Sequence, residues 1–294
     1  MNLTPLRISR RSLAVAASLA GMVSLAIGAH AALNKRALEQ AKAVTTEQGA
    51  DAGKDTDKTA SRVALVIGNG HYPDAAAPLT QPINDARALT EALRRNGFDV
   101  DVVEDASRDD MARAVERLKA RVKPESVVML FFGGYGAQVG GESYMLPVDA
   151  AIWKESDVRR AGISVESVLS AMTAQGARAK LAVIDASRRN PYERRFRAFS
   201  HGLAPIAPPD NALILSSATP GKVADDSSGP HSLLVAELLN HVTEQGAGAE
   251  TVFNKTRVAV SKATDGEQVP SVSSSLEQDV RFGTDKVAEA KAGS

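Results

Sequence analysis

Two short segments carry the side chains best suited to chemistry. The first is Phe132-Gly133-Gly134-Tyr135-Gly136 and the second is Asp185-Ala186-Ser187-Arg188-Arg189-Asn190-Pro191. In the first, three glycines surround one large polar side chain, which lets backbone pass close to a neighbour. In the second, a carboxylate, a hydroxyl and two guanidiniums follow one another at the end of an apolar run. The chain holds no cysteine, which removes disulfides, thiolate metal ligands and any thiol nucleophile together. Its five histidines (30, 71, 201, 231 and 241) are scattered, with no pair at helical metal-ligand spacing. No loop has the EF-hand pattern for calcium. No metal and no cofactor is therefore expected.

Both segments follow apolar runs that read as buried strands, Val127–Phe132 and Leu181–Ile184. Other such runs are Val63–Ile67, closed by Gly68-Asn69-Gly70, and Ala212–Leu215, with a further strand over Phe98–Val103. Between them lie helical patterns. Pro82 opens one whose apolar face is Ile83, Ala86, Leu89, Ala92 and Leu93, stopped by Asn96-Gly97. Residues 107–122 form another through Met111, Val115, Leu118 and Val122, and further helices are expected over 164–174, 231–243 and 249–263. This alternation predicts an α/β fold, an open and mostly parallel sheet with helices on both faces. In such sheets sites form where loops leave the carboxyl ends of strands, so both segments belong on one edge.

The ends of the chain read differently. Residues 1–31 have the pattern of an export signal: Arg7, Arg10 and Arg11, an apolar stretch from Leu13 to Gly28, then Ala29-His30-Ala31 as a small-x-small cleavage site. Ser9-Arg10-Arg11-Ser12-Leu13 also resembles a twin-arginine signal, and an uncleaved membrane anchor is a third reading. A bacterial, periplasmic location follows, with a membrane partner only if the signal stays attached. Residues 32–60 read as a solvated spacer, 61–283 as the folded domain and 284–294 as a tail. Lys and Arg total 35 against 35 Asp and Glu, so net charge gives no argument for nucleic acid. At 44% apolar residues the chain can bury an ordinary core, and at 4% aromatic that core rests on aliphatics.

Several motifs in order make the stretch from Arg62 to Gly283 similar to the caspase-like domain of bacterial orthocaspases and metacaspases. They are Ala64-Leu65-Val66-Ile67-Gly68-Asn69 with Tyr72, Asn84-Asp85-Ala86, Gly133-Gly134-Tyr135-Gly136 and the hairpin Gly141–Asp149. Asp185–Pro191, Ala218-Thr219-Pro220-Gly221-Lys222 and Gln268-Val269-Pro270 complete the series. The resemblance implies a caspase-like fold and a cysteine-type endopeptidase ancestry. It aligns Tyr135 with the family's catalytic His and Ser187 with its catalytic Cys. Those two positions are 52 residues apart, near the separation of about 50 expected for caspases. Serine is far less acidic than a thiol and needs a strong adjacent base. Tyrosine, with an ordinary pKa of about 10, is a neutral phenol at pH 7 and donates rather than accepts a proton.

The resemblance further implies that Gly136 supplies an oxyanion-stabilising N–H, and that acids line a pocket for a basic P1 side chain. Asp185 and Asp225 are the matching candidates. Plainer readings stand beside these. Asp185 suits a strand-end cap, Asp225-Asp226 a solvated turn, and Tyr135 can simply bond Ser187. Arg188, Arg189, Arg194, Arg195 and Arg197 form either a docking patch or a solvated loop. Three functions are carried forward. One is an exported pseudopeptidase that binds a peptide or protein ligand, a basic one if the acids remain. Another is an active endopeptidase cleaving after Arg or Lys, with Ser187 served by another base such as His201 or His231. The last is a structural envelope protein.

Overall fold

The computed structural model describes residues 60–73, 78–188, 202–224, 229–244 and 246–283. The expected export segment, all but the last residue of the spacer, and the tail lie outside the described residues, as do His201, Asp225 and Arg189–Arg197. Among the described residues, no helix is long and apolar enough to cross a membrane.

Six strands form the main sheet: β1 (Arg62–Gly68), β2 (Asp99–Glu104), β3 (Val127–Gly133), β7 (Ala179–Asp185), β8 (Ala212–Ser216) and β9 (Ser271–Ser274). Their spatial order is β2-β1-β3-β7-β8-β9. Every pairing is parallel except β8 with β9. The four inner strands β1, β3, β7 and β8 are buried on both faces, which is why they read as continuous apolar runs rather than alternating ones. Alternate residues of β3 feed different cores: Val127, Met129 and Phe131 one, Val128, Leu130 and Phe132 the other.

Helices cover both faces. The helix opened by Pro82 is α1 (Gln81–Arg95), ended where Gly97 takes φ +82°. Next comes α2 (Arg108–Arg121), which begins at Ser107 in a capping box with Asp110. Two more follow, α3 (Glu155–Ala161) and α4 (Val165–Ala174). The last two are α5 (Leu233–Val242) and α6 (Ala249–Ala263). Faces of α1, α5 and α6 pack on one core, and those of α2 and α4 on the other. A small antiparallel sheet of β4 (Gly136–Val139), β5 (Glu142–Met145) and β6 (Ile163–Ser164) stands beyond the end of β3.

The expected elements are present within a residue or two of their ends. Three short ones were not anticipated: α3, β6 and the antiparallel edge strand β9. The helix expected from residue 231 begins two residues later, because Ser232 is its N-cap and accepts a hydrogen bond from Val235 N.

Candidate functional site

Three neighbouring strands end in register. Gly68 of β1 lies opposite Gly133 of β3, and Gly133 opposite Asp185 of β7. Past these ends the loops are stitched together: Asn69 N–H donates to Gly133 O (2.8 Å) and Gly134 N–H to Asp185 O (3.2 Å). The glycines have a steric reason. A Cβ on Gly68 would lie 2.4 Å from Pro82 O at the start of α1, and one on Gly134 would lie 2.6 Å from Tyr72 Oη. Both expected segments therefore emerge on the same sheet edge, with α1 against it.

Tyr135 is half-buried and its backbone is fixed on both sides. Its N–H donates to Tyr72 Oη (3.0 Å), Tyr72 Oη donates to Leu146 O (2.9 Å), and Leu146 N–H donates to Tyr135 O (3.0 Å). The two tyrosine rings meet edge to face at 4.8 Å, a favoured aromatic geometry. Ser187 is held from the β8 side: its N–H donates to Ser217 Oγ (3.2 Å), and Ala224 N–H donates to its carbonyl (2.6 Å). The Ser187 hydroxyl is buried and makes no hydrogen bond to any described residue. The Tyr135–Ser187 hydrogen bond of the plainer reading is therefore not made. Gly136 is packed tightly, since a Cβ there would lie 2.7 Å from Leu203 Cδ2 and 3.0 Å from Ala186 Cβ.

On the other side of Ser187 lies a cluster of charge. Asp185 is the last residue of β7 and is 2% exposed. Arg188, itself 5% exposed, places Nη2 3.6 Å from its Oδ2. Asp225, the second expected acid, is outside the described residues. A different acid joins the cluster. Asp85, on the buried side of α1, is fully shielded from solvent. Its Oδ1 lies 2.8 Å from His231 Nδ1, and Ser232 N–H donates to both carboxylate oxygens (3.3 and 3.2 Å). Burial first, and the charge of Asp185 second, push the Asp85 carboxyl up to about 7. Gln81 and Asn84 extend the same contact, donating to Gly229 O (3.1 Å) and Pro230 O (3.2 Å). So α1 holds the segment that leads into α5.

Asp85 was not singled out as a site residue. Its signal was present in the Asn84-Asp85-Ala86 landmark, but nothing in the sequence showed that the first turns of α1 lie against the end of β7. His71 is paired elsewhere, with Asp105 (2.5 Å), and 68% of its side chain is exposed. His241 pairs with Glu244 (3.0 Å). Among the described residues, no group of three or more His, Asp or Glu could hold a metal ion.

The family model for the caspase domain of C14 peptidases matches residues 61–281, about three quarters of the chain. The chain belongs to the caspase-domain peptidase family. Its similarity to curated relatives is more local. It is 34% identical over 89 residues to the human mucosa-associated lymphoid tissue lymphoma translocation protein 1, covering 30% of this chain and 11% of that protein. The mouse homolog is 35% identical over 92 residues, with the same coverage. The chain thus spans about a tenth of the length of these relatives. In this member of the family, Tyr135 lies just past the end of β3 and Ser187 just past the end of β7.

Proposed function

We propose that this chain is a non-catalytic member of the caspase-domain family that serves as a peptide-binding or regulatory module. The observation that carries the reading is Ser187. Its hydroxyl is buried and bonded to no described base, while the residue at the base position is a tyrosine. A serine nucleophile without a hydrogen-bonded base lacks the step that makes it reactive, and base catalysis alone is worth a factor of ~10²–10⁴. His231 is the described histidine nearest in role to a replacement base. Its Nδ1 is engaged by Asp85, and neither of its nitrogens bonds Ser187 Oγ. The acids fare differently from the dyad positions. Asp185 at the end of β7 and Asp85 on α1 lie near enough for the charge of Asp185 to raise the Asp85 carboxyl, which supports a ligand with a basic side chain. We further propose that residues 1–31 direct the chain to the periplasm, on the strength of their basic, apolar and small-residue regions.

The test uses the mature chain with fluorogenic Arg and Lys peptides, alongside Ser187→Ala. The expected outcome is no turnover above the Ser187→Ala background, with measurable peptide binding. Turnover that disappears in Ser187→Ala would sink the reading in favour of a serine-dependent peptidase. The reverse experiment is Tyr135→His with Ser187→Cys, which is expected to restore measurable cleavage by supplying an imidazole and a thiol together.

A further inference from the structure

The outer face of the α5–α6 pair carries an open groove of about 740 Å³. Val258 and Ala259 form its floor, and Val258 is 41% exposed. An apolar floor rimmed by polar side chains marks a surface built to be covered. His241 of α5 and Glu250 of α6 line the end nearest the α5–α6 turn, and Lys255 and Lys262 line the remainder. Glu250 accepts a hydrogen bond from the Ser274 hydroxyl, and Lys255 pairs with Glu244 (2.5 Å). Lys262 makes no ion pair with a described residue, so the far end of the groove keeps a positive charge. Residues 280–283 bring the chain to the near end. Ala249 N–H donates to Val280 O (2.6 Å), Gly248 bridges Arg281, and Phe282 N–H donates to Ala247 O (3.5 Å). Gly283 then lies against Asn96, where a Cβ would stand 3.4 Å from Asn96 Oδ1. Asn96 in turn donates to Val242 O (3.1 Å), one residue from His241.

We propose that residues 284–294 of this chain lie in the α5–α6 groove and cover it. Their length suits it. From Glu250 to Lys262, α6 rises about 18 Å at 1.5 Å per residue. The stretch Thr284–Ser294 reaches about 16 Å as a helix and about 36 Å when extended. Its side chains suit the floor, since Ala288, Ala290 and Ala292 are small enough to sit on Val258 and Ala259. Its acids suit the rim. Asp285 and Glu289 share one face at i,i+4 spacing and point that face toward Lys255 and Lys262, while Lys286 and Lys291 fall away from it. Tethering favours this occupant over a separate partner. A segment joined to the fold beside its site competes at an effective concentration on the order of millimolar. Another protein gains this face only by displacing the segment.

The chain has no cysteine, so a pair of introduced thiols reports on this contact alone. In the mature chain, Val258→Cys is combined in turn with Val287→Cys, Ala288→Cys and Ala292→Cys, which samples three registers. Disulfide closure under oxidised glutathione is followed by free-thiol count and non-reducing gel mobility. The control joins Ala288→Cys to Val102→Cys, an exposed position on β2, whose first residues follow Asn96 and Gly97. A segment that merely sweeps the surface reaches both places. At least one Val258 pair is expected to close within a single chain tenfold faster than the control. In the fastest pair, Lys262→Glu is expected to slow closure at least threefold, and Lys262→Arg to leave it unchanged. All four positions in the fold and segment are surface or terminal ones, and circular dichroism checks that each variant is folded. Closure of every Val258 pair at the control rate overturns the proposal. Disulfides formed between chains would place a second copy in the groove and overturn it equally. An unchanged rate with Lys262→Glu overturns the charge match on which the placement rests.

Discussion

On either side of Ala186 the chain treats its polar groups in opposite ways. At the ends of β3 and β7, the hydroxyl of Ser187 is buried without a described partner, while Tyr135 is fixed through its backbone and its ring contact with Tyr72. Toward α1, each carboxylate has a charged or hydrogen-bonding neighbour: Asp185 has Arg188 at 3.6 Å, and Asp85 has His231 and Ser232. A hydroxyl left over costs a little and does nothing. A buried charge left over costs far more, so a cluster of charges persists only when its members are kept together. The contrast implies that the two halves of the site have separate fates. The reactive half can lose its chemistry without harm to the fold, whereas the charged half also holds the α1–α5 junction and resists change.

The largest expected effect breaks the charged half. Asp185→Ala removes the carboxylate that lies 3.6 Å from the buried Arg188 guanidinium and is expected to cost about 3–5 kcal/mol, read as a lower urea midpoint at unchanged slope. A loss below about 1 kcal/mol would mean that Arg188 is held chiefly by other groups. Next, Gly136→Ala pushes a Cβ into Leu203 and Ala186 and is expected to cost ~1–3 kcal/mol by overpacking. Thermal melting checks it, and a neutral result would show that Leu203 moves aside freely. In the reactive half the sign reverses. Ser187→Ala removes a buried, unbonded hydroxyl and is expected to stabilise by about 1 kcal/mol. Destabilisation would show that Ser187 bonds something within the fold.

The last effect is one of pH. The Asp85 carboxyl is raised from 3.8 to about 7. It therefore holds its proton longer in the folded chain than in the unfolded one, and ionising it opposes folding. That penalty is absent below pH 3.8, grows as pH rises toward about 7, and is complete above. The groups facing Asp85 are Asp185, His231 and Ser232, with Arg188 beyond Asp185. Replacing Asp85 by Asn removes the penalty, so the melting temperature of Asp85→Asn minus that of wild type is expected to climb between pH 5 and pH 7 and level off by pH 8. A flat difference would show that His231 and Ser232 hold the carboxylate charged throughout.

Much of the fold was open to reading because buried parallel strands leave an unmistakable imprint. Val127–Phe132 has no polar residue to satisfy, and Gly68-Asn69-Gly70 marks where the chain must leave the sheet. The elements that escaped notice are short or lack such a pattern. Strand β9, Ser-Val-Ser-Ser, is an edge strand with only partial burial, so its residues resemble those of a loop. In the site, Tyr135, Ser187, Gly136 and Asp185 could be named because they sit at strand ends in recognisable motifs. Asp85 could not, because its part depends on a contact with residues 229–232, about 146 positions away.

The sequence by itself determined that no thiol chemistry is possible, that strands and helices alternate, and that two polar segments leave one sheet edge. These follow from residue types and local periodicity. Only the tertiary structure decided the state of the groups at that edge. It left Ser187 without a described base, turned Arg188 back onto Asp185, and set Asp85 of α1 against both Asp185 and His231. Charge balance and hydrogen-bond satisfaction depend on distance in space. Residues far apart in the chain acquire those distances only when α1 closes over the ends of β1, β3 and β7.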